Sequence, residues 1–492
     1  MRASDLWHRT AAMKRSSQVR SRIAVALAIF TVIAATILTR PQKPLDAFDQ
    51  PFYLTVAYDL IHHGVFSNGF VDLGNSTGAT PPPGMFFGPL YPSLIAAVTR
   101  IDARFAKTVD CGAETYRAKR SSTECEVYAR PMLLVHALLL TLGVFAVARA
   151  AELLFDGRGI FWLTCVVATG ALLADANQFA FLMTESATFS LYALAMLAAV
   201  LGWTRSQSRY FVMAGFGFGV LCLARLSFLV AAIVIPALIA INTRFVVHPR
   251  RERAAAGALA FVLAFLAVIA PWATRNAISV GKFALTEEYG SVALVERFAY
   301  DQMTLREFVL SFPYCLPKIG PDIVANAFGP DAMARFQYDL PNSFYFVGAA
   351  QRNALTEQFT RIDPIIGEVI RNEMKENWWR YILVSTSLAW CGMWVGGWLG
   401  LVLVPLFAIA CVAACRRSKP LFLLYSAPAF VMLGLHAVLA SFYTRYNLIL
   451  IGPFSAGAAC LISTLAGYVR SQFQIPPPAR WFSTARPAGQ RE

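Results

Sequence analysis

Four groups of ionisable residues carry the chemistry that this sequence could do, and each lies beside a long apolar stretch. Asp46 and Asp49 follow the first such stretch, in DAFDQPFYLTVAYDLIHHG. An Asp at a helix start can simply satisfy free amide groups. A carboxylate at a membrane boundary can also act as a general base on an attacking hydroxyl. Arg225 sits in the middle of the apolar run 211–243, Arg275 in APWATRN with Lys282 just beyond, and Arg445 in SFYTRYN. Interfacial Arg beside Trp and Tyr can snorkel or anchor a span. Three Arg from three separate hairpins at one face also match what a phosphate at headgroup depth needs, because guanidinium forks pair with phosphate oxygens. Asp175 and Glu185 flank a short turn in LLADANQFAFLMTES. They could orient a substrate or pair with an Arg, or be solvated turn residues. His62 and His63 read as helix surface. Neither CxxC nor HExxH occurs, so no metal-ligand spacing is present.

The elements that must position these groups are membrane spans. The chain has 492 residues, 57% hydrophobic and 15% charged, with mean hydropathy +0.52. A soluble domain carries about 25% charged residues. That composition excludes a disordered or disulfide-rich secreted protein and points to an all-α polytopic membrane protein. About 20 apolar residues cross a bilayer, and ten spans are expected at 22–39, 130–148, 159–177, 182–203, 211–226, 227–243, 255–273, 396–415, 420–440 and 448–468.

With the N-terminus inside and the spans alternating, the inner segments carry a net +16 and the remainder −2. That asymmetry is the positive-inside pattern. The overall +14 therefore reports orientation and contact with anionic membrane lipids, and needs no nucleic-acid partner. The expected location is a bacterial inner membrane with both termini cytoplasmic. Ile23 to Leu38 is long for a cleavable signal and reads as a retained span.

The expected organisation is a basic tail over 1–21, then a bundle over 22–273 that contains an outer loop, 40–129. An outer domain over 274–395 follows, with 13 acids and 11 bases, then spans over 396–468 and a tail over 469–492. Both tails, including the Pro-rich QIPPPARW, read as disordered. In the first outer loop Phe52, Val56, Leu60 and Ile61 recur at helical spacing and Gly64 is a plausible terminator, giving a juxtamembrane amphipathic helix. The segment after Pro92 is too short to span. Asn377 to Trp394, rich in Trp, reads as interfacial, because counting it as a span would put Arg416, Arg417 and Lys419 outside. Cys111 and Cys125 lie in an outer compartment that permits disulfides, which leaves a bridge between them open.

At this point the residues resemble a family, the polyprenyl-phosphate-sugar-dependent glycosyltransferases of the GT-C superfamily. The pattern is similar to bacterial relatives of dolichyl-phosphate-mannose–protein mannosyltransferases and of aminoarabinose transferases. DQPFYLTVAYDLIHHGVFSNG resembles the acidic helix of that family's first outer loop, and PPPGMFFGPLYPSLIAA its Pro-rich loop. FLMTESATFSLYAL resembles the Ser/Thr-Glu start of its fourth span. PWATRNAISVGKF and SFYTRYNLILIGPF resemble its Pro-Trp-x-x-Arg-Asn and Arg-Tyr motifs. The family often has two adjacent acids in the first loop. Here Gln50 follows Asp49, which makes Asp49 the better match and Asp46 the reserve.

The resemblance implies inverting transfer of a sugar from a polyprenyl-phosphate donor to an acceptor hydroxyl of a glycan, lipid or protein on the outer face. It makes Asp49 the base and Arg275 and Arg445, with Arg225, the phosphate cations. Lys282, Glu185, Tyr53 and Tyr446 join them as substrate-binding residues. No cofactor is implied, and no metal is needed if Arg supplies the charge, although family members differ. Rival readings are an O-antigen polymerase or ligase, which would not require the early Asp49 helix, and a transporter or flippase, which usually carries mid-membrane charges. The triplet Asn75-Ser76-Thr77 is a glycosylation acceptor only where the cell has that machinery.

Overall fold

A computed structural model describes residues 3–69, 80–245, 251–286, 289–338, 340–358, 363–417, 419–440 and 442–472, and these are helical with no strand among them. The Asn75 triplet and the Pro-rich C-terminal segment lie outside the described residues. Helix α1 (Ala3–Leu38) runs without a break into the first span. The N-terminal tail expected to be disordered is thus helical, and the reason is local: 3–38 contains neither Gly nor Pro.

The first outer loop folds as α2 (Gln50–His62), α3 (Leu90–Thr99) and α4 (Ala103–Arg117). Pro51 sits in the first turn of α2, where its missing N–H costs nothing. Gly64, one residue past the cap, takes the left-handed conformation (φ 66°) that ends the helix. Of the apolar stripe expected on α2, Val56 is fully buried and Phe52, Leu60 and Ile61 half-buried. The neighbouring Leu54 and Ala57 are fully buried too, so α2 is packed inside protein rather than laid on a membrane surface. Burying Leu54 and Val56 contributes about 1.5–3 kcal/mol each. The cover is α4, whose sequence fitted no pattern. Asp102 caps its first turn by accepting from the amides of Arg104 and Phe105, and a Cys111–Cys125 disulfide ties it to the strand of chain leading into α5.

The bundle continues with α5 (Arg130–Phe155), α6 (Arg158–Ala174), the one-turn α7 (Ala176–Phe179), α8 (Glu185–Arg205), α9 (Ser208–Ala224), α10 (Leu229–Phe245) and α11 (Arg251–Val280). The segment expected to lie outside, termed the outer unit, follows: α12 (Tyr289–Phe298), α13 (Leu305–Tyr314), α14 (Gly320–Phe328), α15 (Phe344–Gln358) and α16 (Asp363–Met393). The chain then returns through α17 (Gly400–Arg416), α18 (Pro420–Leu439) and α19 (Ile451–Gln472). Each expected span coincides with a helix. Seven of those helices are long and apolar enough to cross a membrane among the described residues. The other three, α6, α9 and α10, are apolar but only 17 residues long. The long apolar helices and the all-helical packing make this a polytopic helical membrane protein.

Packing is closest between α9 and α11. A Cβ placed on Gly215 would come 2.1 Å from the Phe261 carbonyl oxygen, and one on Gly219 would come 2.6 Å from Cβ of Val268. Two glycines four residues apart on one face let backbones meet where side chains would hold them apart. At the end assigned inside, Arg22 of α1 donates to Glu152 of α5 at 2.9 Å, so two segments placed together by charge lie together in space.

The outer unit has its own apolar cluster, centred on Tyr300, Met303, Phe336 and Phe344, which includes Val384 and Leu388 of α16 and takes in Ala437 of α18 from the bundle. Helix α16 bends at Asn377, where φ −123° and ψ 19° leave the helical region. The part beyond the bend, expected to be interfacial, is not among the seven span-length apolar helices. A second disulfide, Cys315–Cys391, joins the end of α13 to α16. Arg297 of α12 is fully buried and donates to Asp301 Oδ1 (2.8 Å), Ser385 Oγ (3.0 Å) and the carbonyls of Ala437 (3.0 Å) and Tyr381 (3.2 Å). One side chain therefore fastens α12 to the middle of α16 and the end of α18. A buried guanidinium is tolerated because its polar edge is paired.

Candidate active site

Asp49 occupies the N-cap position of α2 but makes no side-chain capping hydrogen bond. Its Oδ2 instead lies 3.9 Å from Nη2 of Arg445. Two local features aim it. Phe48 has a left-handed backbone (φ 56°), rare for an aromatic residue, which turns the chain immediately before the acid. Gln50 is buried, and its amide donates to the carbonyls of Pro44 (2.8 Å) and Ala47 (3.2 Å) while accepting from the Leu182 N–H (2.7 Å). The neutral residue where the family often has a second acid thus ties Asp49 to the turn that leads into α8.

That turn delivers Glu185, the first residue of α8. It is buried, and its Oε2 has no hydrogen-bond partner. Arg225 ends α9 in an extended conformation (φ −154°, ψ 110°), which turns it off the helix. Its guanidinium carbon lies 4.2 Å from the ring centre of Tyr446, and that of Arg445 lies 5.0 Å from the same ring. Arg445 is 8% exposed, donates to the Tyr446 hydroxyl at 3.1 Å, and stacks 4.7 Å from the Phe48 ring. Its Nε has no hydrogen-bond partner. Asp49, Tyr53, Glu185 and Arg225 line one cleft, with Phe86, Phe87, Met183, Leu223 and Trp272 forming apolar walls. Tyr53 is held there edge-on to Tyr91 and tilted on Phe87.

Arg275, Lys282 and Asp46 stand outside this cleft. Arg275 donates to the carbonyls of Gly84 (2.5 Å) and Phe66 (2.8 Å) and to Asn276 Oδ1 (3.0 Å), so it fastens the first outer loop to the end of α11. Its neighbours complete the brace: Trp272 Nε1 donates to the Leu285 carbonyl and Asn276 Nδ2 to that of Ala284. Lys282 is half-buried in the same turn. Asp46 is exposed and accepts the Ser122 N–H at 3.4 Å. Asp175 meets no Arg. It accepts the Gly396 N–H at 2.6 Å, and burial pushes its carboxyl up to about 6. His62, read as helix surface, reaches Asp110 at 2.9 Å.

Three sets of residues at or beside the site escaped sequence reasoning. His436 of α18 is buried, bonds Asn447 Oδ1 through Nδ1 (2.9 Å), and lies 5.6 Å from the Tyr446 ring. Asp59 of α2 is buried, pairs with Arg117 of α4 and accepts from Ser67 Oγ at 2.5 Å, which fixes the loop after α2. An acid on the apolar part of an amphipathic helix was the signal, since a buried carboxylate must find partners. The third set is an aromatic wall beside Arg445. Phe48 packs on Phe181, Tyr338 on Tyr345 and Tyr443, and Tyr443 on Tyr446. Near it Glu296 pairs with Arg352 at 2.5 Å, and burial raises the Glu296 carboxyl against the pull of that Arg. Among the described residues no three His, Cys, Asp or Glu side chains converge as a metal site would require.

No protein-family model matches the chain, and no curated protein matches it. Among solved structures it is similar to the archaeal oligosaccharyltransferase AglB from Archaeoglobus fulgidus in complex with an inhibitory peptide and a dolichol-phosphate. The identity is 11% and the TM-score 0.49, over 93% of this chain and 52% of that one. It is also similar to the Archaeoglobus fulgidus oligosaccharyltransferase tethered to an acceptor peptide, at 11% identity and TM-score 0.48, over 91% and 50%. The chain spans about half the length of the solved structures it matches.

Proposed function

We propose that the chain is a membrane glycosyltransferase of GT-C type that moves a sugar from a polyprenyl phosphate to an acceptor hydroxyl at the outer face, with inversion. The observation that carries the reading is a cleft where spans end, lined by Asp49, Glu185 and Arg225 from three distant segments, with Arg445 beside it, 3.9 Å from Asp49 and sharing the Tyr446 ring with Arg225. The apolar walls suit a prenyl chain, and the two guanidinium groups sharing the Tyr446 ring suit the phosphate. Two cations this close repel, and a bound phosphate offsets that repulsion.

In this mechanism Asp49 takes the proton of the acceptor hydroxyl, whose oxygen attacks the anomeric carbon. The bond from that carbon to the phosphate oxygen breaks, and the released charge on phosphate is stabilised by Arg445 and Arg225. Arg275 acts at a distance, as a positioning residue for the loop that walls the cleft. The aromatic wall offers faces on which the apolar side of a sugar ring can stack.

The test uses the full chain in lipid with radiolabelled polyprenyl-phosphate sugars. Saturable binding or slow hydrolysis of one of them, lost in Arg225→Ala and weakened in Arg445→Lys, supports the reading. No interaction with any such donor overturns it.

A further inference from the structure

A second cleft adjoins the segment that carries Asp49. Its rim is Arg40 and Lys43, which directly follow the first span, and Arg130, which opens α5. Its floor includes Leu45, Leu133 and Leu182, and Gln50 closes the end nearest Asp49. Among the described residues no carboxylate lines it. The nearby acids are engaged elsewhere: Glu126 pairs with Arg104 at 3.1 Å, and Asp46 accepts the Ser122 amide. Lys43 lies 5.1 Å over the Phe181 ring, a contact that holds its ammonium without neutralising it, so the three cations at one mouth lack the anion that would offset their mutual repulsion.

The helix below the rim adds a second, independent feature. Arg130 is followed at intervals of four residues by Leu134, Leu138 and Leu142, which are 41%, 51% and 43% exposed. Residues four apart share one face of a helix, so a cation sits at the head of an outward apolar row. We infer that this cleft binds the phosphate-bearing headgroup of an anionic membrane lipid, with Arg40, Lys43 and Arg130 on the phosphate and an acyl chain along Leu134, Leu138 and Leu142. The lipid would then brace the 40–50 segment that also carries Asp49. This site stands apart from the proposed transfer reaction.

The test is native mass spectrometry of the full-length protein, counting retained phosphatidylglycerol against phosphatidylcholine. Preferential retention of phosphatidylglycerol is expected, falling roughly a hundredfold when Arg40, Lys43 and Arg130 are all changed to Gln. A charge-matched control, Arg100→Gln with Lys107→Gln and Lys119→Gln, should retain the lipid. Equal loss in both triple variants, or no phosphatidylglycerol preference, overturns the inference. Displacement by millimolar inorganic phosphate also overturns it, since the cleft would then be a free-phosphate site. Asp49→Asn should bind the lipid normally, which separates this outcome from the fate of the transfer reading.

Discussion

The carboxylate of Asp49 stands 3.9 Å from the guanidinium of Arg445, although 396 positions separate them in the chain. The acid is about one-third exposed while the base is sealed between aromatic rings. Only the acid can therefore meet a water-borne hydroxyl, while the cation is held beside the cleft, behind Asp49. That division is what a base for an acceptor and a holder for a lipid phosphate require.

Asp49→Asn should lower transfer from a polyprenyl-phosphate sugar by roughly 10²–10⁴-fold. Because the Asp49 side chain makes no capping hydrogen bond, melting monitored by tryptophan fluorescence should be nearly unchanged. An Asn variant with full activity sinks the base assignment.

Arg445→Lys keeps the charge but loses the planar fork and the stacking on Phe48 and Tyr446. Donor affinity should fall about tenfold or more while the protein stays folded, as read by direct binding of labelled donor. Unchanged affinity would count against a phosphate role for this residue.

Removing the Arg297 side chain strands the buried Asp301 carboxylate and takes a donor from the Ala437 carbonyl, while Ser385 Oγ still donates to the Tyr381 carbonyl. Arg297→Ala should cost about 3–5 kcal/mol, the usual loss when one partner of a buried pair goes. Replacing Arg297 and Asp301 together by Met and Leu should recover part of it. A thermal-melt comparison of the single and double variants decides the point.

The Cys315–Cys391 bridge closes a loop 76 residues long, against 14 for Cys111–Cys125. Loop-closure entropy makes the first worth about 4 kcal/mol and the second about 3 kcal/mol. Replacing Cys315 by Ser should speed limited proteolysis within 289–358 more than elsewhere. Uniform protection would mean that Arg297 and the apolar cluster around Phe336 and Phe344 hold the outer unit without the bridge.

Asp175 gives a pH signature of the opposite sign to a salt-bridged acid. The folded carboxyl keeps its proton up to about pH 6, whereas the ordinary value is 3.8. Between those values the folded state binds more protons than the unfolded one, so stability falls as pH rises through that window. The loss is at most about 3 kcal/mol. Asp175→Asn should flatten this part of the stability–pH curve, and an unaltered slope would assign it to other groups.

Much of the bundle was legible because a span needs only length and apolarity, and charge asymmetry orders the ends. The same logic brought Asp49, Glu185, Arg225 and Arg445 to one face before any coordinates. It did not separate Arg275 from them. An Arg that braces a loop through carbonyl oxygens and one that faces a cleft look alike in a string of residues, since the carbonyls belong to distant, unremarkable positions such as Phe66 and Gly84. Nor did α4 announce itself, because what it buries is the back of α2, a surface that exists only after the loop has folded. His436 was hidden for a related reason: a lone His in an apolar helix acquires meaning only from Asn447 and Tyr446 beside it.

The glycines of α9 have a bearing on evolvability. With Gly215 and Gly219 seated against α11, any larger residue there would collide with backbone or with Val268. The two helices that end at Arg225 and lead to Trp272 therefore form a rail of fixed gauge. Adapting the cleft to a bulkier or slimmer ligand falls to the loops at its mouth, chiefly 84–89 and 282–286, where replacements leave the gauge alone.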